Sequence, residues 1–191
     1  MPAAKLEQHY SVEDYLNWPD DLRCELIDGV IYDMSPAPLI RHQSISGVLI
    51  REIGNFIRNT KNDGGDGSGC KVFAAPIDVV LAKDSVVQPD IVIVCDPEKL
   101  ANGKHVLGAP DAVVEILSKS TALKDRREKK ALYQRAGVIE YLIIDPFEDY
   151  AEYYRLVNSA HYEPPLILGP EDHITFQCLP GFSQTLNDIF Q

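Results

Sequence analysis

The sequence predicts a mixed α/β domain, and three observations carry that expectation. Short apolar runs rich in β-branched residues alternate with amphipathic stretches, turn dipeptides punctuate them, and a strand–helix–strand unit spans Asp111 to Asp145. The chain has 191 residues, 45% hydrophobic and 25% charged, which suffices for a substantial core and is expected to form a single domain over residues 1–191. No apolar stretch approaches the roughly 18 residues of a membrane span, and the stretch Met1 to Glu7 lacks the apolar region of a secretory signal. A cytoplasmic location without a membrane partner is therefore expected.

The elements follow in order. Ser11 with Asp14 three residues on forms a capping-box pattern, predicting a short helix over Val12 to Asn17 that stops at Pro19. Two strands around Asp28-Gly29, Cys24 to Ile27 and Val30 to Tyr32, read as a hairpin with a type I′ turn. From Pro38 to about Thr60, residues Ile45, Val48, Leu49, Ile53, Phe56 and Ile57 make one apolar stripe, the longest helix expected. The glycine-rich stretch Asn62 to Gly69 reads as a loop. Strands are expected at Val72 to Leu81, bent at Pro76, and at Val86 to Val94, pairing antiparallel. The apolar run Ala112 to Leu117 predicts a strand buried on both faces. A helix over Leu123 to Ala136 ends at Gly137, and Glu140 to Ile144 is the next strand, parallel to the preceding one through a right-handed crossover. The runs Tyr150 to Val157, Pro165 to Leu168 and Ile174 to Cys178 are expected as antiparallel strands added at a sheet edge.

Charge and cysteines narrow the function classes. A formal net charge of −11 argues against a surface that is a polyanion-binding field throughout. A local basic patch is still available in Lys119, Lys124, Arg126, Arg127, Lys129 and Lys130, against the alternative of a solvated helix face. Cys24, Cys70, Cys95 and Cys178 lie far apart with no C-x-x-C pair, so reduced thiols are expected rather than a disulfide framework or a zinc site.

The chemistry centres on two carboxylates. Glu115 interrupts an apolar strand, and Asp90 opens the run Ile91 to Val94. A buried ionised carboxylate needs a cation, an ammonium or a wet cleft beside it. The crossover helix supplies a partner: at about 100° per residue, Tyr133, Leu132, Ala136 and Asp125 all fall within about 60° of Lys129, whereas Lys130 and Arg127 turn outward. Lys129 thus lies on the buried stripe, with its stem over apolar surface and its charge free to reach the acids. The alternative is a Glu115–Lys129 ion pair without chemistry. Two carboxylates on neighbouring strands plus a lysine form a site for magnesium or manganese and for phosphodiester hydrolysis, with the lysine positioning water or stabilising the transition state. This is the constellation of the PD-(D/E)xK nucleases. Leu117 occupies the place of the motif lysine, so Lys129 is read as a migrated lysine.

Pro89-Asp90-Ile91, Val114-Glu115-Ile116-Leu117-Ser118, Asp125-Arg126 with Lys129 and Tyr133, and Glu140 to Asp145, together with Glu25 to Gly29, His42 and Pro76 to Val79, resemble the Uma-two family of restriction endonucleases over roughly residues 10 to 160. The resemblance implies a restriction-endonuclease-like core, a magnesium cofactor and catalytic roles for Asp90, Glu115 and Lys129. It leaves Lys119 as a weaker competitor for the lysine role. Asp78, Glu25 and His42 are further candidates, each weighed against a structural role: strand cap for Asp78, hairpin residue for Glu25, hydrogen-bonding residue at a helix start for His42. The expected function is a metal-dependent endonuclease acting on nucleic acid, on DNA ahead of RNA, with a homodimer plausible because cutting two strands takes two sites. The runner-up is a catalytically silent nucleic-acid-binding or protein-interaction module on the same fold.

Overall fold

A computed structural model describes residues 8–19, 22–34, 39–62, 69–158 and 161–191. Most of the expected glycine-rich loop, the first residues of the chain and Pro38 lie outside them. The first helix, α1 (Val12–Leu16), carries the expected capping box, with Ser11 and Asp14 bonding each other's backbone N–H. Strands β1 (Cys24–Ile27) and β2 (Val30–Asp33) form the hairpin. Asp28 and Gly29 both adopt positive φ at its turn, as a type I′ turn requires. Helix α2 (Ile40–Asn62) is the long amphipathic helix.

Both of the next expected strands divide. Val72 to Leu81 becomes β3 (Lys71–Ala74) and β4 (Val79–Ala82), and Val86 to Val94 becomes β5 (Ser85–Val87) and β6 (Ile91–Val94). The breaks fall at Pro76 and Pro89, which have no N–H to donate to a ladder. The antiparallel pairing holds, but in two places: β4 pairs β5, and β3 pairs β6. After a 3-10 turn (Pro97–Leu100) come β7 (Val106–Leu107) and β8 (Ala112–Ile116). The crossover consists of α3 (Ala122–Lys124), a π-helical turn (Asp125–Lys129) and α4 (Lys130–Ala136), ended by Gly137 in the left-handed conformation at φ 89°. It leads to β9 (Glu140–Asp145), which pairs parallel to β8 as expected.

Then come β10 (Tyr150–Val157), β11 (His161–Tyr162), β12 (Leu166–Leu168), β13 (His173–Phe176), β14 (Leu179–Thr185) and α5 (Leu186–Phe190). Strands β10, β11 and β12 extend the sheet antiparallel, but the Ile174 run pairs with β14 in a separate hairpin. The larger sheet runs β11-β10-β9-β8-β6-β3, with β12 also on β10; a smaller sheet runs β2-β1-β5-β4-β7.

The cysteines depart from expectation. Antiparallel pairing of β3 with β6 sets Lys71 opposite Val94, so Cys70 and Cys95 meet at the sheet end and form a disulfide; Cys24 and Cys178 are free. Twenty-five residues of sequence separation hid a contact that strand register makes direct.

Alternation along the large sheet creates two cores. Ile91, Ile93, Ala112, Val114, Ile116, Leu142 and Ile144 pack against Ile45, Leu49 and Ile53 of α2 and against the β13–β14 hairpin and α5. Val92, Val94, Val113, Leu117, Tyr141 and Ile143 pack on the other face, against Leu132 and Tyr133 of α4 and residues of the small sheet. This explains the near-continuous apolar strands, since both faces are covered. It also sets the site: Asp90 shares the parity of Val92, and Glu115 that of Val113, so both belong to the face under α4.

Leu49 is fully buried at the α2–sheet contact. Leu49→Ala is expected to cost about 2–5 kcal/mol in chemical denaturation, while Ile167→Ala, at an exposed position, should change stability by less than about 0.5 kcal/mol. Equal effects would contradict this placement of the core.

Candidate active site

The β6–β8 register sets Ile91 opposite Val114, and one step on it brings Asp90 and Glu115 side by side at the strand ends. Both open into a cleft of about 270 Å³ whose lining includes Glu25, His42, Gln88, Lys124, Asp125 and Lys129. Each carboxylate is held by one oxygen. Asp90 Oδ2 accepts the Ile116 N–H at 2.7 Å and lies 3.2 Å from His42 Nε2. Glu115 Oε1 accepts the Tyr133 hydroxyl at 2.6 Å and pairs with Lys129 Nζ at 2.6 Å. Among the described residues no hydrogen bond reaches Asp90 Oδ1 or Glu115 Oε2, which leaves those oxygens available to a cation.

Lys129 is the hub. It leaves the end of the π turn only 3% exposed, and its ammonium also meets Glu25 Oε1 at 2.9 Å and approaches Asp125 Oδ1 to 3.9 Å. Glu25, projecting from β1, accepts the Gln88 N–H at 3.0 Å and pairs through Oε2 with Lys124 Nζ at 2.6 Å. Lys124 and Lys129, five residues apart, both reach Glu25, because the wider winding of the π turn brings positions five apart nearer to one face than an α-helix does.

The inner wall holds more negative than positive charge. Glu25, Glu115 and Asp125 are buried with one buried ammonium, Lys129, while Asp90 and Lys124 stand at the half-buried margin. Burial pushes Glu115 up to about 8 despite Lys129, because Asp125, Asp90 and Glu25 repel its charge. Burial would raise Glu25 as well, but the two lysines outweigh it and hold that carboxyl down at about 2. Lys129 is desolvated, yet Glu115, Glu25 and Asp125 raise it well above its usual value, so the amine is protonated at neutral pH. For His42 the hydrogen bond and charge of Asp90 overcome burial and raise the imidazole. Asp125 Oδ1 is buried without a hydrogen bond, and burial raises its carboxyl. An excess of buried carboxylate of this kind fits a divalent cation, which would relieve the repulsion that lifts Glu115. Among the described residues no three His, Cys, Asp or Glu side chains make a closed metal cage.

Of the residues singled out from the sequence, Asp90, Glu115, Lys129, Glu25 and His42 converge here. Asp78 does not: it precedes β4, in the small sheet, and its Oδ1 accepts Tyr15 and Gln88 side chains at 2.9 and 2.8 Å. Of the basic cluster, Lys124 lines the cleft. Arg126 is bound to Asp145 and Glu152, Lys130 sits over the Tyr154 ring, Lys119 over the Phe147 ring, and Arg127 is exposed. Sequence reasoning missed that Glu25 shares Lys129, although an acid inside the run Cys24 to Ile27 is the same signal that marked Glu115. It gave Tyr133 no part in the site; the ring is buried, but its hydroxyl serves Glu115. Leu117, at the place of the motif lysine, is buried in the core beside α4.

The profile of the Uma2 family, described as "Putative restriction endonuclease", matches residues 12–187. The chain belongs to the Uma2 family. The uncharacterized protein slr1290 of Synechocystis sp. is 30% identical over 138 residues, covering 70% of this chain and 67% of that one. A second Uma2-chain relative from Synechocystis sp., the uncharacterized protein sll1609, is 26% identical over 109 residues, 56% of this chain and 62% of its own. The crystal structure of a "putative nuclease belonging to DUF820" from Anabaena variabilis superposes with a TM-score of 0.76 at 17% identity, over 95% of this chain and 97% of that one. The Uma2 chain therefore has a restriction-endonuclease-like fold, and its family membership supports a hydrolase acting on nucleic acid.

A depressed carboxyl stabilises the fold above its unfolded value, near 4.5 for Glu25, and loses that contribution as pH falls toward about 2. Glu25→Gln should therefore lower stability by about 3 kcal/mol near pH 7, as expected for breaking a buried ion pair. The gap in melting temperature between variant and wild type should shrink from pH 5 to pH 3. A gap independent of pH would show that Glu25 is not the charged partner of Lys129.

Proposed function

We propose that this Uma2 protein is a divalent-metal-dependent endonuclease that hydrolyses phosphodiester bonds in DNA, with magnesium or manganese as its cofactor. One observation carries the reading: Asp90 and Glu115 end adjacent strands on the same sheet face, with the protonated Lys129 amine 2.6 Å from Glu115. Asp90 and Glu115 would hold the metal, which when bound supplies an activated water and neutralises charge on the phosphate.

The protein's own groups do the rest. Because Lys129 is charged, it is not the general base; it positions the water or stabilises the phosphoryl oxygens as negative charge accumulates. Glu25 is a positioning residue, holding the Lys129 ammonium between itself and Glu115. The Ile116 N–H and His42 fix the Asp90 carboxylate, which orients its second oxygen toward the cleft. Lys124, farther out, is placed to meet a substrate phosphate. Two such clefts in a homodimer would serve the two strands of a duplex.

The second reading, a silent nucleic-acid-binding or protein-interaction module, draws on Leu117 and on a net charge of −11. Cleavage of duplex and single-stranded DNA with magnesium, manganese or chelator separates the two. Asp90→Ala should abolish manganese binding in calorimetry and cut the cleavage rate by at least about 10²-fold. Wild-type protein that binds no divalent ion and cuts nothing would leave only the silent module.

The lysine has its own test. Lys129→Met leaves two buried carboxylates facing each other, so it should cost on the order of 3–5 kcal/mol of stability and, assayed well below its melting temperature, about 10²-fold in rate. Lys130→Ala should leave the rate per bound substrate unchanged, since that side chain lies over Tyr154. Binding of DNA should weaken steeply as salt rises. Equal rates for Lys129→Met and Lys130→Ala would remove Lys129 from the mechanism.

A further inference from the structure

Beside the cleft lies a second pocket of about 210 Å³, and the two share His42 and Ser118. Its remaining lining is mostly apolar: Leu39, Leu117, Pro146 and Phe147. We propose that this pocket receives one unstacked nucleobase of the substrate strand, from the nucleotide next to the scissile phosphate. The proposal rests on the nuclease reading above and names the substrate class it implies: DNA with an unpaired base at the cut site, as in single strands, flaps and mismatches.

Three features single out a base as the occupant. The first is continuity. A strand whose phosphate lies at Asp90 and Glu115 must send its neighbouring base somewhere, and the cleft and the apolar hollow share His42 and Ser118 as a common wall.

The second is the platform. Phe147 keeps 42% of its surface exposed although it is a large ring. The backbone beneath it is nevertheless held: Asp145 Oδ1 accepts the N–H groups of Phe147 and Glu148 at 3.0 and 3.3 Å, and Asp145 is itself bound to Arg126. An exposed aromatic ring held on a rigid turn is what base stacking uses, and it tolerates any sequence because every base has a π face.

The third is charge. On a chain with net charge −11, no acidic side chain among the described residues lines this pocket, and Arg41 and Lys119 stand at it. The Lys119 ammonium lies 5.7 Å from the centre of the Phe147 ring and makes no ion pair among the described residues. Arg41, which also lines the pocket, is paired with Asp149. A free ammonium over an aromatic ring suits a stacked base with its phosphate attached, and not an uncharged apolar side chain. A base inside a matched duplex is already stacked and paired, so a duplex bears an unstacking cost that an open strand does not.

The test uses the full chain, with fluorescein-labelled oligonucleotides for anisotropy and gel assays with manganese for cleavage. Wild type should bind and cut a single strand or a mismatched duplex in preference to a matched duplex. Phe147→Ala should weaken binding of the intact single strand on the order of tenfold, and Phe147→Trp, which keeps the stacking surface, should restore it. One abasic site, scanned along the strand, should reach a position where it weakens wild type by a similar factor and Phe147→Ala no further. Equal binding by wild type and Phe147→Ala, or losses from the abasic site and the variant that multiply at every position, would overturn the proposal. So would a change confined to self-association, which would assign the pocket to a second copy of the chain. Cutting that persists unchanged in Phe147→Ala would sink the base pocket and leave the nuclease standing. If wild type cuts nothing, the nuclease reading fails, and anisotropy still decides whether the pocket holds a base.

Discussion

One ammonium, that of Lys129, makes the buried end of this cleft possible. Glu115 and Glu25 come from different sheets, and each would face a large desolvation cost alone; Lys129 lies within 2.9 Å of both and is itself buried. Its charge makes two inward-pointing acids tolerable. The pairing is unequal. Glu25 has a second lysine and a backbone N–H and remains firmly ionised, whereas Glu115 has, among the described residues, Lys129 and Tyr133 against three neighbouring carboxylates. Of these two glutamates, the one less satisfied by the protein is the one beside Asp90.

The architecture around this ammonium serves to bring distant strands to it. The larger sheet carries Asp90 and Glu115 on one face, the smaller sheet delivers Glu25 from β1, and the crossover between β8 and β9 lays Lys124, Lys129 and Tyr133 over the gap. On its other side the same crossover is tied down by Arg126 to Asp145 and Glu152, and by the Tyr141 hydroxyl to the Asp125 carbonyl. Helix α2 supports the opposite face of the sheet and reaches the strand ends through His42. Each contributor is anchored in a packed layer, so the side chains meet without needing substrate to draw them together.

Features governed by local chemistry were legible in the sequence. The Ser11 capping box, the Asp28-Gly29 turn, the stripe of α2 and the C-terminal Gly137 all depend on neighbours a few residues away. Lys129 was found because helical phase alone places it beside Tyr133. Pairing between remote segments was not legible. Periodicity marks a run as a strand but does not say which sheet it joins, so Val72 to Leu81 and Val86 to Val94 read as two strands where Pro76 and Pro89 make four. The same blindness misplaced Asp78, whose strand was expected beside Asp90 and lies in the smaller sheet, and it concealed the meeting of Cys70 with Cys95. Glu25 was visible as an oddity, but its partnership with Lys129 crosses more than a hundred residues and depends on how the two sheets pack.

The π turn has a bearing on how the helix over this cleft could change in length. A π turn holds one residue more than the α turn it replaces and takes up that residue within its own wider winding. Deleting a single codon between Asp125 and Glu128 would spare both lysines and every acid and leave Lys124 and Lys129 four residues apart, a spacing that an ordinary α-helix also sets on one face. The reading frame would be intact and the composition almost unchanged. Within such a lineage, a one-residue gap in this helix would mark an exchange of the π turn for an α turn, with both lysines still on the face that meets Glu25.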